Sequence, residues 1–146
     1  MTTPTVSYRP AAARPDVEIT TYGVLHGERP AIRYGHGVVE IDLTTALRNP
    51  HQDPAMRYRT GLDQDVYEHV MATDGAAEIV REAAEAVADW AEAAMGTAPV
   101  EVHSYCKGGR HRSVAVARAL AEALTDLGLT VAVTHRDVHK PVVQAV

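Results

Sequence analysis

The stretch from residue 100 to residue 135 constrains the fold of this chain more than any other. Residues 100–105, VEVHSY, predict a strand, and a loop with two glycines follows. Apolar residues then recur at helical spacing from Ser113 to Leu127, and Gly128 is placed to end that helix. Residues 129–135, LTVAVTH, predict the next strand. Strand, helix and strand in this order form a βαβ unit with parallel strands.

Two further strands are predicted in the first third of the chain. Residues 17–25, VEITTYGVL, and residues 37–43, GVVEIDL, are rich in β-branched residues. Residues 48–61 carry two prolines and end in a glycine, which predicts a long loop. Long ordered loops in compact domains are often functional.

Two helices are predicted between this loop and residue 100. Residues 62–73, LDQDVYEHVMAT, suggest a short one. A longer alanine-rich helix follows, with Thr73 or Asp74 as its candidate N-cap and with Gly96 and Pro99 ending it. Its apolar face is predicted from the residues that recur at helical spacing, which are Val80, Ala83, Ala84, Val87, Trp90, Ala91 and Ala94.

The order of these elements predicts a single α/β domain. We expect a small mixed, partly parallel sheet flanked by helices, with a glycine-rich phosphate-binding loop at a helix N-terminus. The domain should span residues 17–140, between a flexible N-terminal tail of residues 1–16 and a C-terminal tail of residues 141–146.

The loop in YCKGGRHRSV, residues 105–114, has the chemistry of an anion site. A helix N-terminus offers backbone N–H groups without acceptors and the positive end of the helix dipole. Gly108 and Gly109 let the backbone curl, Arg112 can bind an oxyanion with two hydrogen bonds, and Ser113 can donate one more or cap the helix. Phosphate is the anion that can use all of these groups. The alternative interpretation is a glycine turn whose cations are solvated and bind no ligand.

The same loop admits an enzymatic interpretation. Cys106 and Arg112 form C-x5-R-S with the serine that follows, a pattern that resembles the phosphate loop of cysteine-dependent phosphatases. A helix N-terminus and a nearby arginine would lower the pKa of the thiol, and the thiolate would attack phosphorus. The leaving oxygen needs a general acid, for which Asp53, Asp74 and Asp137 are candidates, none of them in a WPD-like context.

The charge, histidine spacing and cysteine content of the chain limit which ligands, metals and cellular compartments are expected. The net charge is −5, which disfavours wrapping of long nucleic acids, while the basic residues after position 106 suit a small anion. His135 and His139 leave a strand with no cysteine or carboxylate cluster beside them, so neither a metal nor another cofactor is predicted. A single cysteine, short apolar runs and an N-terminus unlike a secretory signal lead us to expect a cytoplasmic protein without a membrane-spanning segment.

A family resemblance extends across most of the chain. YCKGGRHRSVAVARALAEAL, followed by VTHRDVHK, resembles the C-terminal domain of the RapZ/YvcJ family, whose signature is C-x-G-G-x-H-R-S-V at a helix start and H-R-[DT] near the chain end. TYGVLHG resembles its opening strand, and RNPHQDPAMRYRTGLD resembles its Asn-Pro-His, Asp-Pro and Thr-Gly-Leu-Asp loop. The matching blocks occur in the family order from about residue 17 to residue 140.

The resemblance implies a phosphosugar-sensing domain that senses an amino-sugar phosphate or a nucleotide-sugar. In the family this domain is associated with glucosamine 6-phosphate, with self-association, and with small-RNA and protein partners, and it follows a P-loop domain. No G-x-x-x-x-G-K-[ST] occurs here, so a Walker site is not implied. The implied phosphate contacts are Cys106, Lys107, Gly108, Gly109, Arg110, His111, Arg112 and Ser113, with His51, His135 and Arg136 as secondary contributors.

The chain departs from the family pattern in three places. Leu43 and Thr44 follow Asp42, where the family has Asp-x-Arg, and the segment up to Asn49 is one residue longer. The chain also ends in HKPVVQAV instead of a basic tail. With only two lysines in the sequence, RNA binding is the least expected of the family's properties. An adapter for RNA or protein stays open beside the sensor and the phosphatase.

Overall fold

A four-stranded sheet, parallel in every pairing, lies at the centre of the fold. The computed structural model describes residues 3–8, 14–35, 37–47 and 49–143. The strands are β1 (Val17–Gly23), β2 (Val39–Asp42), β3 (Val100–Cys106) and β4 (Val131–His135), and they lie in the order β2-β3-β1-β4. The predicted α/β fold is confirmed.

The sheet differs in one respect from the mixed, partly parallel sheet that was expected. Each strand is joined to the next by a crossover, and no two strands are linked by a hairpin that would reverse direction. The predicted βαβ unit of β3 and β4 is parallel, but β1 lies between its two strands. The carboxyl ends of β1 and β3 therefore meet at the middle of one sheet edge.

Three helices flank the sheet: α1 (Gln64–Met71), α2 (Ala76–Ala94) and α3 (Arg112–Asp126). Helix α3 packs against β1, β3 and β4, while α2 packs beside α3 and reaches β2 and β3. The core between these layers is aliphatic, with Val17, Ile19, Val102, Val87 and Leu120 among its fully or almost fully buried side chains. Within the described ranges, the helices are all too short or too polar to cross a bilayer.

The opposite face of the sheet is polar. The Glu101 carboxylate accepts the amides of Arg33 and Tyr34 at 2.7 and 3.1 Å, and Glu18 accepts the Tyr34 hydroxyl at 3.0 Å. These bonds hold the β1–β2 connection over the sheet. The first residues of this connection lie beside the loop between β3 and α3, because the Leu25 amide donates to the Lys107 carbonyl at 3.0 Å.

The helix ends confirm one sequence-based prediction and contradict two others. Gly128 has a φ of 88° just beyond α3, as the sequence predicts for a residue that ends a helix. The N-cap predicted at Thr73 or Asp74 is wrong, because α2 follows Gly75, which has a φ of 90° and offers no side chain. Leu127 lies outside α3 and is 61% exposed, so it does not join the apolar face of that helix.

Candidate functional site

The candidate site lies where β1 and β3 end side by side. Gly23, the last residue of β1, is paired with Cys106, the last residue of β3. Residues 107–111 connect β3 to Arg112, the first residue of α3. The first amides of α3 have no acceptor inside the helix, and the dipole of α3 makes this end positive. Ligands of open α/β sheets bind at this kind of strand edge.

Two glycines let the connecting loop lie directly on the end of β1. Gly109 has a φ of 68°, and a Cβ at this position would lie 2.4 Å from the Gly23 nitrogen. A Cβ on Gly23 would in turn lie 2.3 Å from the carbonyl carbon of Gly108. Backbone therefore meets backbone here, which only glycine permits. Gly108 itself has open space where a Cβ would point.

The sulfur of Cys106 lies inside this loop. It accepts a hydrogen bond from the Gly109 amide at 3.2 Å and is 3.2 Å from the Ser113 hydroxyl oxygen. Both side chains are buried, and the Ser113 carbonyl also accepts the Ser104 hydroxyl at 3.0 Å. The structure thus brings together three sequence-predicted residues, but Ser113 contacts the thiol and does not line the pocket described below.

Arg112 is a buried cation with part of its guanidinium unpaired. The residue is 4% exposed, and its Nη1 donates to the Ala46 carbonyl at 3.2 Å and, at the long limit of 3.5 Å, to the Thr44 carbonyl. Its buried Nε has no hydrogen-bond partner among the described residues. Burial lowers the pKa of Arg112, and the nearby Cys106 opposes that shift. A buried, incompletely paired guanidinium is stabilised by an anion.

His111 is buried and joins the loop to the long segment that precedes α1. Its Nε2 is 3.0 Å from the Met56 carbonyl oxygen, so Nε2 carries the proton. Burial is the main cause that lowers the pKa of His111 to about 4. The imidazole is therefore neutral at pH 7, and the hydrogen bond that it makes is an internal one.

The guanidinium of Arg110 donates its hydrogen bonds to backbone carbonyls. It donates to the Arg59 carbonyl at 3.0 Å and to the Tyr58 carbonyl. It also donates to the carbonyls of Val138 and Lys140, at 3.4 and 3.1 Å. Sequence reasoning placed Arg110 among the ligand contacts, whereas the structure gives it the additional task of joining three segments of the chain.

The secondary residues fall into two groups. His51 lies at the pocket, where its buried Nε2 has no partner among the described residues. His135 is the last residue of β4 and Arg136 follows it, and neither residue lines the pocket. The Nδ1 of His135 is 2.9 Å from the Thr21 hydroxyl, and burial lowers the pKa of this imidazole. The Arg136 guanidinium lies 5.0 Å from the ring centre of Tyr22.

Asp137 is the residue whose role sequence reasoning missed. The sequence suggests only a candidate general acid at this position, yet the carboxylate of Asp137 is fully buried and accepts hydrogen bonds from the Gly23 amide, from Arg136 and from Lys140. Burial alone would raise its pKa, but these donors outweigh burial and lower the pKa to about 2. An acid that has already lost its proton at neutral pH cannot protonate a leaving group. The signal available in the sequence was its position directly after His135 and Arg136.

Part of this site forms a pocket of about 60 Å³ that opens to solvent. The lining joins the loop and the start of α3 to the long loop, the segment after β1 and the C-terminal segment. It consists of Leu25, His26, Asn49, His51, Cys106, Lys107, Gly108, Arg110, His111, Arg112, Pro141, Val142 and Val143. Gly109, Ser113, His135 and Arg136 are the predicted site residues that are not in it. Leu25, His26, Asn49 and residues 141–143 are the additions, and of these Leu25, His26 and Asn49 lie in blocks that resemble the family, TYGVLHG and RNPHQDPAMRYRTGLD.

The described lining contains cations and histidines, and it lacks a cluster suited to a metal. Among the described residues, no group of three or more His, Cys, Asp or Glu side chains could hold a metal ion. The described lining also contains no carboxylate. Of the candidate general acids, Asp53 accepts the Ala55 amide at 2.9 Å within its own turn, and Asp74 lies between α1 and α2.

Known proteins match most of this chain. The model of the RapZ C-terminal domain matches residues 15–139. A nucleotide-binding protein of Thermus thermophilus is 48% identical over 107 residues, which are 69% of this chain and 38% of that relative. A nucleotide-binding protein of Rhodospirillum centenum is 38% identical over 122 residues, 80% of this chain and 37% of the relative. A third, from Thermobifida fusca, is 36% identical over 110 residues, with coverages of 71% and 37%.

The chain spans less than two fifths of the length of these curated relatives, at 37–38%. The matched region nevertheless includes β1 to β4 and the loop between β3 and α3. On this match, the chain belongs to the RapZ C-terminal domain family.

Proposed function

We propose that this chain binds a phosphorylated small molecule, either an amino-sugar phosphate or a nucleotide-sugar, and acts as a regulatory domain. One observation carries the proposal. Arg112 at the start of α3 and His51 line one pocket, and each has a buried nitrogen without a partner among the described residues. A phosphate group would bring acceptors to the first amides of α3 and to Arg112, and to His51 when Nε2 carries the proton. It would also offset the cost of a buried cation without a full set of partners.

The electrostatics of the pocket support the same ligand class. Lys107 and Arg112 contribute positive charge, and the helix dipole adds to it at the start of α3. The chain as a whole has a net charge of −5, so a local positive site is distinct from its surroundings. Leu25 and residues 141–143 add apolar walls, against which the carbon skeleton of a sugar or a base could pack.

The names of the relatives point in the same direction at a coarser level. They are called nucleotide-binding proteins, and each is more than twice as long as the region that it shares with this chain. Nucleotides and phosphosugars share the phosphate group, which is the part that the loop is proposed to bind.

A thermal-shift screen tests the proposal. The protein is heated with glucosamine 6-phosphate, a nucleotide-sugar, ATP, inorganic phosphate and unphosphorylated glucosamine. A ligand present at 100 times its Kd should stabilise the fold by about 2.7 kcal/mol, while glucosamine should have no effect. Lys107→Ala removes an exposed cation of the pocket and should weaken the shift, whereas Arg81→Ala, on the exposed face of α2, should not. A panel without any phosphate-dependent shift would contradict the proposal.

A cysteine-dependent phosphatase is the second candidate, and one contact favours it. The Gly109 amide donates to the Cys106 sulfur, and Arg112 is close enough for its charge to interact with the thiol. Both features would stabilise a thiolate. Hydrolysis of an aryl phosphate between pH 5 and 8 that is lost in Cys106→Ser would support this candidate. Absence of turnover with intact phosphosugar binding would leave the sensor.

Self-association and macromolecular partners follow from the family alone. We propose a homo-oligomer and a protein partner, and light scattering after size exclusion tests the first. RNA retention that falls steeply with salt would support an RNA adapter. Retention of RNA without any response to phosphosugars would favour that adapter over the sensor.

A further inference from the structure

We propose that Asp137 is a positioning residue that sets the shape of the β3–α3 loop and of the C-terminal wall of the pocket. The inference rests on the proposed function only for its binding readout. Asp137 does not line the pocket, so it acts through the residues that it holds.

The carboxylate of Asp137 is saturated by donors from three places. Oδ2 accepts the Gly23 amide at 2.8 Å and Nη2 of Arg136 at 2.8 Å. Oδ1 accepts Nε of Arg136 at 2.9 Å and Nζ of Lys140 at 2.6 Å. The side chain is 0% exposed, so water does not compete for these bonds. Hydrogen bonds to a buried charge are among the strongest that side chains make.

The bond to Gly23 fixes the surface on which the loop lies. Gly108 and Gly109 contact the end of β1 so closely that a Cβ on Gly23 or on Gly109 would overlap backbone atoms. A Cβ on Gly109 would also approach the Cβ of Asp137 at 3.0 Å. A displacement of the Gly23 amide is therefore transmitted to the loop, because no side chain lies between them to absorb it.

The bond to Lys140 ties the C-terminal segment to the same point. Arg110 of the loop donates to the carbonyls of Val138 and Lys140, so the turn that contains Asp137 is held from the loop side as well. The lining residues Pro141, Val142 and Val143 follow directly. One carboxylate thus links the end of β1, the loop and the wall that faces it.

The experiment compares Asp137→Asn with Asp89→Asn, a carboxylate on the exposed face of α2. Asp137→Asn keeps the side-chain size but replaces the charge and can turn an amide donor toward the Gly23 N–H. We expect the amide NMR resonances of Gly23, Gly108 and Gly109 to shift and the Kd for glucosamine 6-phosphate to rise about tenfold. Asp89→Asn should change neither quantity.

If Asp137→Asn does not fold, a second pair of variants tests the positioning role of Asp137. Lys140→Met removes one exposed cationic partner, and Lys140→Arg keeps the charge. Lys140→Met should shift the Gly108 and Gly109 resonances and weaken binding, and Lys140→Arg should restore both. Variants that only lower the Tm, with unchanged loop resonances and unchanged Kd well below that Tm, would overturn the proposal. If wild-type protein binds no phosphate compound, the proposed function fails while the resonances still test the positioning role.

Discussion

The amide of Gly109 donates a hydrogen bond to the sulfur of Cys106 over 3.2 Å, so the β3–α3 loop closes on a side chain of the protein itself. That amide is consequently not offered to a ligand. The groups that remain for an anion include the first amides of α3, which have no intrahelical acceptor, and the side chains of Lys107 and Arg112. Cys106 then serves as an internal anchor for the loop, a role that needs neither a thiolate nor a general acid.

Replacing Gly109 should be far more costly than replacing its neighbour. Gly109→Ala places a Cβ 2.4 Å from the Gly23 nitrogen at a φ of 68°, so it should lower the free energy of unfolding by roughly 3 kcal/mol or more. Gly108→Ala meets open space and should cost less than about 1 kcal/mol. Urea denaturation of the two variants measures the difference. Equal destabilisation would show that the loop does not rest on β1.

Arg110 and Lys107 should separate stability from binding. Arg110→Ala removes the hydrogen bonds to the carbonyls of Tyr58, Arg59, Val138 and Lys140, and because water reaches most of these carbonyls it should cost about 1 kcal/mol of stability. Lys107 has an exposed side chain, so Lys107→Ala should leave the Tm within a few degrees while weakening phosphate binding. Denaturation and calorimetric titration check the two effects. An Arg110→Ala protein as stable as wild type would contradict the structural role.

The buried imidazole of His111 should make the protein less stable in mild acid. Its folded pKa of about 4 lies below the unfolded value of 6.5, so the unfolded state takes up the proton first as the pH falls. The stability contribution is complete above pH 6.5 and is lost between pH 6.5 and 4. From pH 7 to pH 5 this group should cost roughly 2 kcal/mol.

His111→Gln removes the titrating group, so the variant should lose that much less stability between pH 7 and pH 5, whatever its stability at pH 7. Urea midpoints at the two pH values give the slope. His103 and His135, whose pKa values are also lowered by burial, titrate in both proteins and cancel in the comparison. Identical slopes for wild type and variant would contradict a buried neutral His111.

The sequence predicted those features that depend on neighbouring residues. Strands, helices and their order follow from local periodicity, and the helix end at Gly128 follows from one glycine. The place of β1 between β3 and β4 could not be predicted, because strand order is decided by packing between distant segments. One local feature was also predicted wrongly: α2 begins after Gly75, which bends the chain without a capping side chain, although Thr73 and Asp74 nearby are both typical N-caps.

For the candidate site, the sequence predicted which residues lie near the loop better than it predicted which contacts each of them makes. The motif brought Cys106, Gly109 and Arg112 to one loop, and the structure places them together. The partners of Arg110 lie 28 to 52 residues away along the chain, so no local pattern distinguishes it from a ligand-binding arginine. Asp137 is likewise explained by the amide of Gly23, which is 114 residues away.

An amide-resolved NMR titration tests most directly whether an anion binds at the start of α3. Labelled protein is titrated with glucosamine 6-phosphate and, in parallel, with inorganic phosphate and unphosphorylated glucosamine. Saturable shifts should be largest at Lys107, Gly108 and the first residues of α3, should appear with phosphate-bearing compounds, and should be absent with glucosamine. Saturable shifts centred on α2 or on the polar face of the sheet, with the loop amides unmoved, would contradict the account.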